Sequence, residues 1–66
     1  MMIFNINDIV RHNKFSEYGI GKILDVDSED NENIYKIFWS RDSTVFWHFE
    51  EFLVKANMPD YLKNEI

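Results

Sequence analysis

The sequence predicts a mainly β fold, a small barrel of about five antiparallel strands formed by a single domain. A chain of 66 residues supplies one hydrophobic core and no more. The chain has no cysteine, which excludes disulfide staples and a cysteine zinc site, so the core must come from its aromatic side chains, 17% of the residues. Four short runs are rich in β-branched and aromatic residues, with turn-forming residues between them: Asp8 to His12, Ile20 to Asp27, Asn33 to Trp39 and Thr44 to Phe49.

The second and third runs differ in how clearly they show a buried face. In the second run, simple alternation places Ile20, Leu24 and Val26 on one side of the strand, and we expect that side to face the core. The third run alternates two apolar sets, so both of its faces carry hydrophobic groups and at least one aromatic is expected to be exposed. These sets are Tyr35, Ile37 and Trp39 on one face and Ile34, Lys36 and Phe38 on the other.

The remaining segments complete the barrel. Ser40 to Ser43 is a polar connection of the length that a hairpin uses. Glu50 to Lys55 is expected to form a short turn and then a closing strand. In the last stretch, Pro59 stands where a helix can begin, and Met58, Leu62 and Ile66 have helical spacing. We therefore expect a barrel over residues 6–56 and a short helix or tail over residues 58–66, in one domain spanning residues 1–66.

The negative charge of the chain is concentrated in one segment. The formal charge is −5, and five acids without an intervening base lie in an expected exposed loop: Asp25, Asp27, Glu29, Asp30 and Glu32. A calcium-binding loop is rejected, because Asp30 replaces the required glycine and Lys36 replaces the bidentate glutamate. The overall charge argues against a general nucleic-acid coat, but the rest of the chain is balanced, so a local basic or aromatic contact face stays open.

Four segments together form a recognisable pattern: Asn7 to His12 with Phe15, Tyr18 to Ile23, Tyr35 to Trp39, and Thr44 to Val54. This pattern resembles the CarD-type domains, a group that includes the RNA-polymerase-interacting domain of the transcription-repair coupling factor Mfd. The Tudor-like C-terminal domain of UvrD-type helicases has a related opening motif. The resemblance covers residues 7–55 and implies an SH3-like, Tudor-like barrel.

The resemblance also implies a function. Members of this group dock on the β subunit of RNA polymerase, often by adding a sheet edge to an exposed strand. By this analogy the partner is a protein of the transcription or repair machinery, either RNA polymerase or a helicase. The chain departs from the family pattern in its first loop, where Asn13 replaces a proline and about two residues are added, and at His48, which replaces another proline.

Partner-binding residues are expected among the aromatics and the bases beside them. The set is Phe15, Tyr18, Trp39, Arg41, Phe46, Trp47 and His48. Two more specific uses of such residues stay open: an aromatic cage for a methylated cation, and a basic and aromatic face for single-stranded nucleic acid. The competing interpretation is that most of the aromatics fill the core.

Catalysis is not expected. The two histidines, His12 and His48, lack the further ligands of a zinc site, and both are interpreted as structural strand residues. Ser40, Asp42 and Ser43 are interpreted as turn-forming residues and not as parts of a catalytic triad. No cofactor or metal is therefore expected. The sequence start lacks the features of a signal peptide and no run reaches membrane-spanning length, so we expect a soluble cytoplasmic protein that does not enter a membrane.

Three functions remain open at this point. The first is a non-enzymatic protein-binding adaptor of the transcription or repair machinery. The second is a direct nucleic-acid binder of weak affinity. The third is a small acidic inhibitor, of phage or other origin, that occupies a basic groove of a nucleic-acid enzyme with the segment 25–32.

Overall fold

Five antiparallel strands form one sheet in the computed structural model, which describes residues 3–56. The strands are β1 (Ile9–His12), β2 (Gly21–Glu29), β3 (Glu32–Trp39), β4 (Thr44–Phe49) and β5 (Leu53–Lys55). Their order across the sheet is β4-β3-β2-β1-β5, so the first and last strands of the chain are neighbours. The prediction of a mainly β fold with about five antiparallel strands is confirmed, and this strand order is that of a small SH3-like barrel. The helix expected over residues 58–66 lies outside the described residues.

Two short 3-10 helices connect the strands at one end of the sheet. The first, Ser16–Tyr18, follows β1, and the second, Glu50–Phe52, joins β4 to β5. Gly19 ends the first helix with φ of 73°, in the left-handed region that favours glycine. The short turn and closing strand expected after Phe49 are therefore present.

The β2–β3 hairpin is longer than the sequence indicated. Its register continues to the pair Glu29 and Glu32, and only Asp30 and Asn31 form the turn. Both turn residues have positive φ, 51° and 67°, as a two-residue type I′ turn requires. The expectation of a loop spanning all five acids is therefore wrong. Asp30 alone lies in the turn, and the other four acidic residues belong to strands β2 and β3. Polar side chains can occupy this part of the strands because it is exposed to water.

A bulge in β2 changes which side chains face the core. The register shifts between Ile23 and Asp25, so Leu24 is the extra residue. Ile23 is fully buried, Leu24 is exposed, and Val26 packs against the core. The prediction of an inward Ile20, Leu24 and Val26 is correct for Val26 and wrong for Leu24, because simple alternation assumes an unbroken ladder. Ile20 is half-buried and precedes the strand.

The core combines one face of the central strands with residues from both ends of the described chain. Tyr35, Ile37 and Trp39 of β3 are buried, so this set, and not Ile34, Lys36 and Phe38, faces inward. The members of the core cluster are Phe4, Val10, Ile23, Tyr35, Ile37, Trp39 and Leu53. Phe4 packs edge-to-face on Tyr35 with ring centroids 5.5 Å apart. The segment before β1 therefore covers one end of the core.

Candidate protein-docking surface

Strand β4 forms one edge of the sheet and has a free side. It pairs with β3 over six consecutive residues, from Trp39 opposite Thr44 to Ile34 opposite Phe49, without a register shift. No other described strand pairs with β4. A regular edge strand of this length exposes a row of backbone donors and acceptors on its unpaired side.

The direction of these backbone groups follows from the hydrogen bonds of the neighbouring strands. The Ser40 N–H donates to the Ile20 carbonyl at 3.0 Å, so Ser40 points its backbone groups toward β2. Residues of a strand alternate in this respect, so Trp39 and Ile37 point theirs toward β4. Their partners Thr44 and Phe46 bond to β3. The backbone groups that point away from the sheet are consequently those of Val45, Trp47 and Phe49.

The side chains of β4 are also unusually apolar for an exposed edge. Val45, Trp47 and Phe49 project from the outer face of the sheet, opposite the core, and all three are exposed, Trp47 by 49%. Their cross-strand neighbours on β3 are Phe38, Lys36 and Ile34. Phe46 projects to the inner face but is 52% exposed, because no strand within residues 3–56 covers this edge of the sheet. Contiguous apolar groups of this kind mark interaction sites.

The two edges of the sheet differ in how they are protected. Natural sheets protect an edge with short strands, charged side chains, proline or bulges. The other edge, β5, is three residues long and ends on Lys55. Strand β4 has six residues with no charge, no proline and no bulge. Of the two, β4 is the edge available for pairing.

A second cluster lies on the inner side, where rings pack around two histidines. The rings of His12 and His48 have centroids 5.1 Å apart. Tyr18 contacts both histidines and Trp39, at 5.3 Å from the His12 and Trp39 rings and 6.0 Å from His48. Phe15 and Phe52 pack on His12 at 4.9 and 5.8 Å. The cluster joins β1, both 3-10 helices, β3 and β4.

Hydrogen bonds define the role of each imidazole. His12 Nδ1 accepts from the backbone N–H groups of Lys14 and Phe15, both at 3.1 Å. His48 Nε2 accepts from the indole Nε1–H of Trp39 at 3.2 Å. Each of these two nitrogens therefore accepts a hydrogen bond and carries no proton, so both rings are neutral in this arrangement. The interpretation of the two histidines as structural strand residues agrees with this geometry.

The predicted contact residues fall into different environments. Phe15, Tyr18, Trp39 and His48 come together in the ring cluster, and Phe46 reaches its margin with its ring 6.4 Å from His48. Trp47 lies on the opposite face.

Trp39 requires a correction, because it is only 1% exposed. Its indole is occupied by packing and by the bond to His48. It cannot contribute a contact face or the wall of an open aromatic cage. Arg41 is exposed, but its guanidinium donates to the Glu17 carbonyl at 3.0 Å, which ties it to the first 3-10 helix.

The acidic residues lie together on the β2–β3 hairpin, away from the ring cluster. Glu29 and Glu32 are directly opposite one another, a like-charge arrangement that disfavours pairing. Beside the turn of the hairpin, Asn31, Glu32, Asn33, Phe49, Glu50 and Glu51 line an open polar pocket of about 280 Å³.

Glu50 organises this pocket. Its carboxylate accepts from the Tyr35 hydroxyl, from Asn33 Nδ2 at 3.1 Å and from the Ile3 N–H at 3.2 Å. Burial by itself raises the pKa of Glu50, but these hydrogen bonds, led by the one from Tyr35, act in the opposite direction, and the net pKa lies below 4.5. Burial, and then the bond to Glu50, raises the pKa of Tyr35. Glu50 thus connects the N-terminal segment, β3 and the second 3-10 helix.

Two docking residues, Val45 and Phe49, were not among the predicted contacts. Both alternate with Phe46 and His48 in the Thr44 to Phe49 run, so the period of the strand could have placed them with Trp47. What the period could not show is that β4 lies at the edge of the described sheet, which depends on the order of its strands.

Comparisons with known proteins add no relatives. No family model, curated protein or solved structure matches the chain. Within residues 3–56, no group of three or more histidine, cysteine, aspartate or glutamate side chains is placed to hold a metal ion. Over the same residues, no helix has the length and apolar character needed to cross a membrane.

Proposed function

We propose that this protein is a non-enzymatic binding module that docks on a partner protein by β-strand addition at β4. The observation that carries the proposal is the contrast between the two sheet edges. Strand β4 is long, regular, uncharged and apolar, while β5 is short and carries a lysine. An edge without protective features is suited to pairing with another strand.

The backbone groups and the side chains of β4 would make different contacts with a partner, because successive residues of a strand alternate in direction. The outward backbone groups of Val45, Trp47 and Phe49 would bond to a partner strand and supply affinity. The exposed side chains on the two faces would supply specificity: Trp47 and Phe49 on the outer face, and Phe46 on the inner face. A partner strand that carries apolar residues on both faces would match this edge.

For the partner we propose a protein of the transcription or repair machinery, with the β subunit of bacterial RNA polymerase first and a helicase second. The support is the resemblance of residues 7–55 to the CarD-type domains, which includes the whole of β4. Members of that group often bind the polymerase by strand addition, and β4 offers the same kind of contact. By itself such a module would recruit, mask or compete.

The test separates backbone pairing from side-chain contacts. Val45→Pro removes an N–H that points away from the sheet, and proline is tolerated on edge strands, so the β3–β4 ladder should persist. Val45→Thr keeps the N–H and nearly the same shape, and is the matched control. With immobilised protein and purified RNA polymerase, we expect the unmodified chain and Val45→Thr to bind at high salt and Val45→Pro to lose binding at least about tenfold.

Two results would contradict the proposal in different ways. If Val45→Pro binds as well as Val45→Thr while both give folded NMR spectra, strand addition at β4 is wrong. If no polymerase subunit is retained by any of the three chains, the proposed partner is wrong. Trp47→Ala and Phe46→Ala then measure the side-chain contribution on each face, with loss of binding expected for both.

A second candidate function is inhibition of a nucleic-acid enzyme by the acidic hairpin. The specific observation is the pair Glu29 and Glu32, since facing like charges lower stability and their presence indicates a use for the charge. Replacing Asp25, Asp27, Glu29, Asp30 and Glu32 by serine or asparagine would abolish inhibition, whereas Val45→Pro would leave it intact. Direct binding of DNA or RNA, lost steeply as salt rises, would instead favour the nucleic-acid binder.

A further inference from the structure

The two histidines occupy a position where neither ring can take up a second proton without losing a hydrogen bond. His12 Nδ1 holds the chain as it leaves β1, through the N–H groups of Lys14 and Phe15. His48 Nε2 holds β4 to β3 through the indole of Trp39. The rings also face each other, with centroids 5.1 Å apart. Protonation would place a donor against a donor at either acceptor nitrogen.

We propose that His12 and His48 form a pH-sensitive latch, which holds the first loop and the docking strand β4 in place when both rings are neutral and releases them in mildly acidic solution. The consequence for binding rests on the proposed function, since it is the β4 edge that the latch holds. The titration itself depends only on the ring cluster.

The groups that face the pair determine how readily it takes up protons. Lys14, in the loop after β1, disfavours a positive charge on His12, and Glu17 of the first 3-10 helix favours it. Tyr18 contacts both imidazoles. Strand β3 and the second 3-10 helix present the uncharged rings of Trp39 and Phe52.

Burial is the main influence on both rings and opposes the charged form. Burial, followed by the charge of Lys14, lowers the pKa of His12 below 6.5, and the opposing effect of Glu17 is smaller. Burial, followed by the charge of His12, lowers the pKa of His48 below 6.5. The two sites therefore disfavour each other's protonation, and their titration is coupled.

The sign of the stability change follows from these directions. Well above pH 6.5 both rings are neutral in the folded and unfolded chains, so the latch is fully present. As pH falls below 6.5, the unfolded chain binds protons first, and stability is lost until pH reaches the lowered pKa of each folded ring. Glu50, by contrast, contributes stability above 4.5 that is lost only at lower pH, because its pKa is lowered from that value. In the upper part of the interval between 4.5 and 6.5, the change in stability therefore comes mainly from the histidines.

The first experiment observes the latch in the unmodified protein. The chain has two tryptophans, so its NMR spectrum contains two indole Nε1–H signals, and Trp47→Phe identifies the one from Trp39. On lowering pH from about 7.5 to about 4.8, we expect the Trp39 signal to shift, with its midpoint below 6.5, while the exposed Trp47 signal stays in place. A Trp39 indole signal that does not change over this interval would overturn the proposal.

The second experiment uses variants that keep the acceptors but cannot titrate. Asparagine at position 12 places an amide oxygen near the site of Nδ1, and glutamine at position 48 places one near the site of Nε2. In the unmodified protein, the unfolding equilibrium constant should rise as the pH falls from 7.5 to about 5. The upper limit is about 30-fold per histidine, reached if the ring is protonated only in the unfolded chain over this range. His12→Asn/His48→Gln should remove this rise. If the unfolding equilibrium constants of the two chains change with pH by the same factor, the proposed latch is wrong.

Binding measurements separate this proposal from the proposed function. If polymerase binds, the unmodified chain should bind several-fold more weakly at about pH 5 than at pH 7.5, and His12→Asn/His48→Gln should not. If polymerase binds at neither pH, the proposed partner is wrong, while the Trp39 titration still decides the latch. Equal loss of binding at low pH in both chains would contradict control by the histidines.

Discussion

At the scale of single residues, Gly21 is required because the neighbouring core side chains leave no room for a Cβ atom at this position. A Cβ built on Gly21 would lie 2.5 Å from Ile37 Cγ2 and 2.7 Å from Trp39 Cε3, both in the core. Gly19 is constrained differently, by its positive φ. Gly19 is therefore needed for its backbone angle, and Gly21 for the close approach of the core side chains.

Gly21→Ala should therefore destabilise the fold by about 1–3 kcal/mol, because the added methyl forces Ile37 and Trp39 from their positions. The free energy of unfolding from urea denaturation measures the loss. Asp27→Ala, at an exposed position of the same strand, is the control and should change it by less than about 0.5 kcal/mol. Equal stabilities of the two variants would mean that the interior can accommodate the methyl group.

At the scale of elements, the β2–β3 hairpin balances local geometry against charge. Its turn is favourable, since Asp30 and Asn31 belong to the residue types that accept positive φ. The last pair before the turn is unfavourable, because Glu29 faces Glu32. The sequence located the hairpin but assigned its paired acids to a loop, since acidic and amide residues favour turns in general and pairing depends on the partner strand.

Glu32→Lys should stabilise the hairpin by about 0.2–1 kcal/mol, by replacing a like-charge pair with an attractive one. Asp42→Lys is a matched control, since it changes the net charge by the same amount at an exposed position in the β3–β4 turn. Thermal unfolding at low salt compares the two, and added salt should reduce the difference. If Asp42→Lys stabilises as much as Glu32→Lys, the effect is one of net charge and not of the facing pair.

At the scale of the whole molecule, the small core depends on both ends of the described chain. Phe4 is 4% exposed and lies on Tyr35, while its neighbour Ile3 is 67% exposed. Leu53 of β5 closes the same core beside β1. In a chain of this size each such residue contributes a large part of the free energy of unfolding, because this free energy is near the lower end of about 5–15 kcal/mol for small domains.

Phe4→Ala should cost about 3–5 kcal/mol and leave a measurable unfolded population at room temperature. Ile3→Ala, one position earlier, keeps the backbone N–H that binds Glu50 and should be close to neutral. Far-ultraviolet circular dichroism during urea denaturation compares the pair. Equal effects would show that the N-terminal segment does not pack as described.

The sequence by itself determined the β-rich class, the approximate positions of the strands and the closing strand after Phe49, because alternation, turn residues and the lack of cysteine are local properties. It also identified Phe46 and Trp47 within the apolar run that became β4. Tertiary structure decided which of these groups are available. It buried Trp39, exposed Leu24 through a bulge, brought His12 against His48 and left one side of β4 without a partner among the described strands. These outcomes depend on strand order and on contacts between residues distant in sequence, which no local pattern contains.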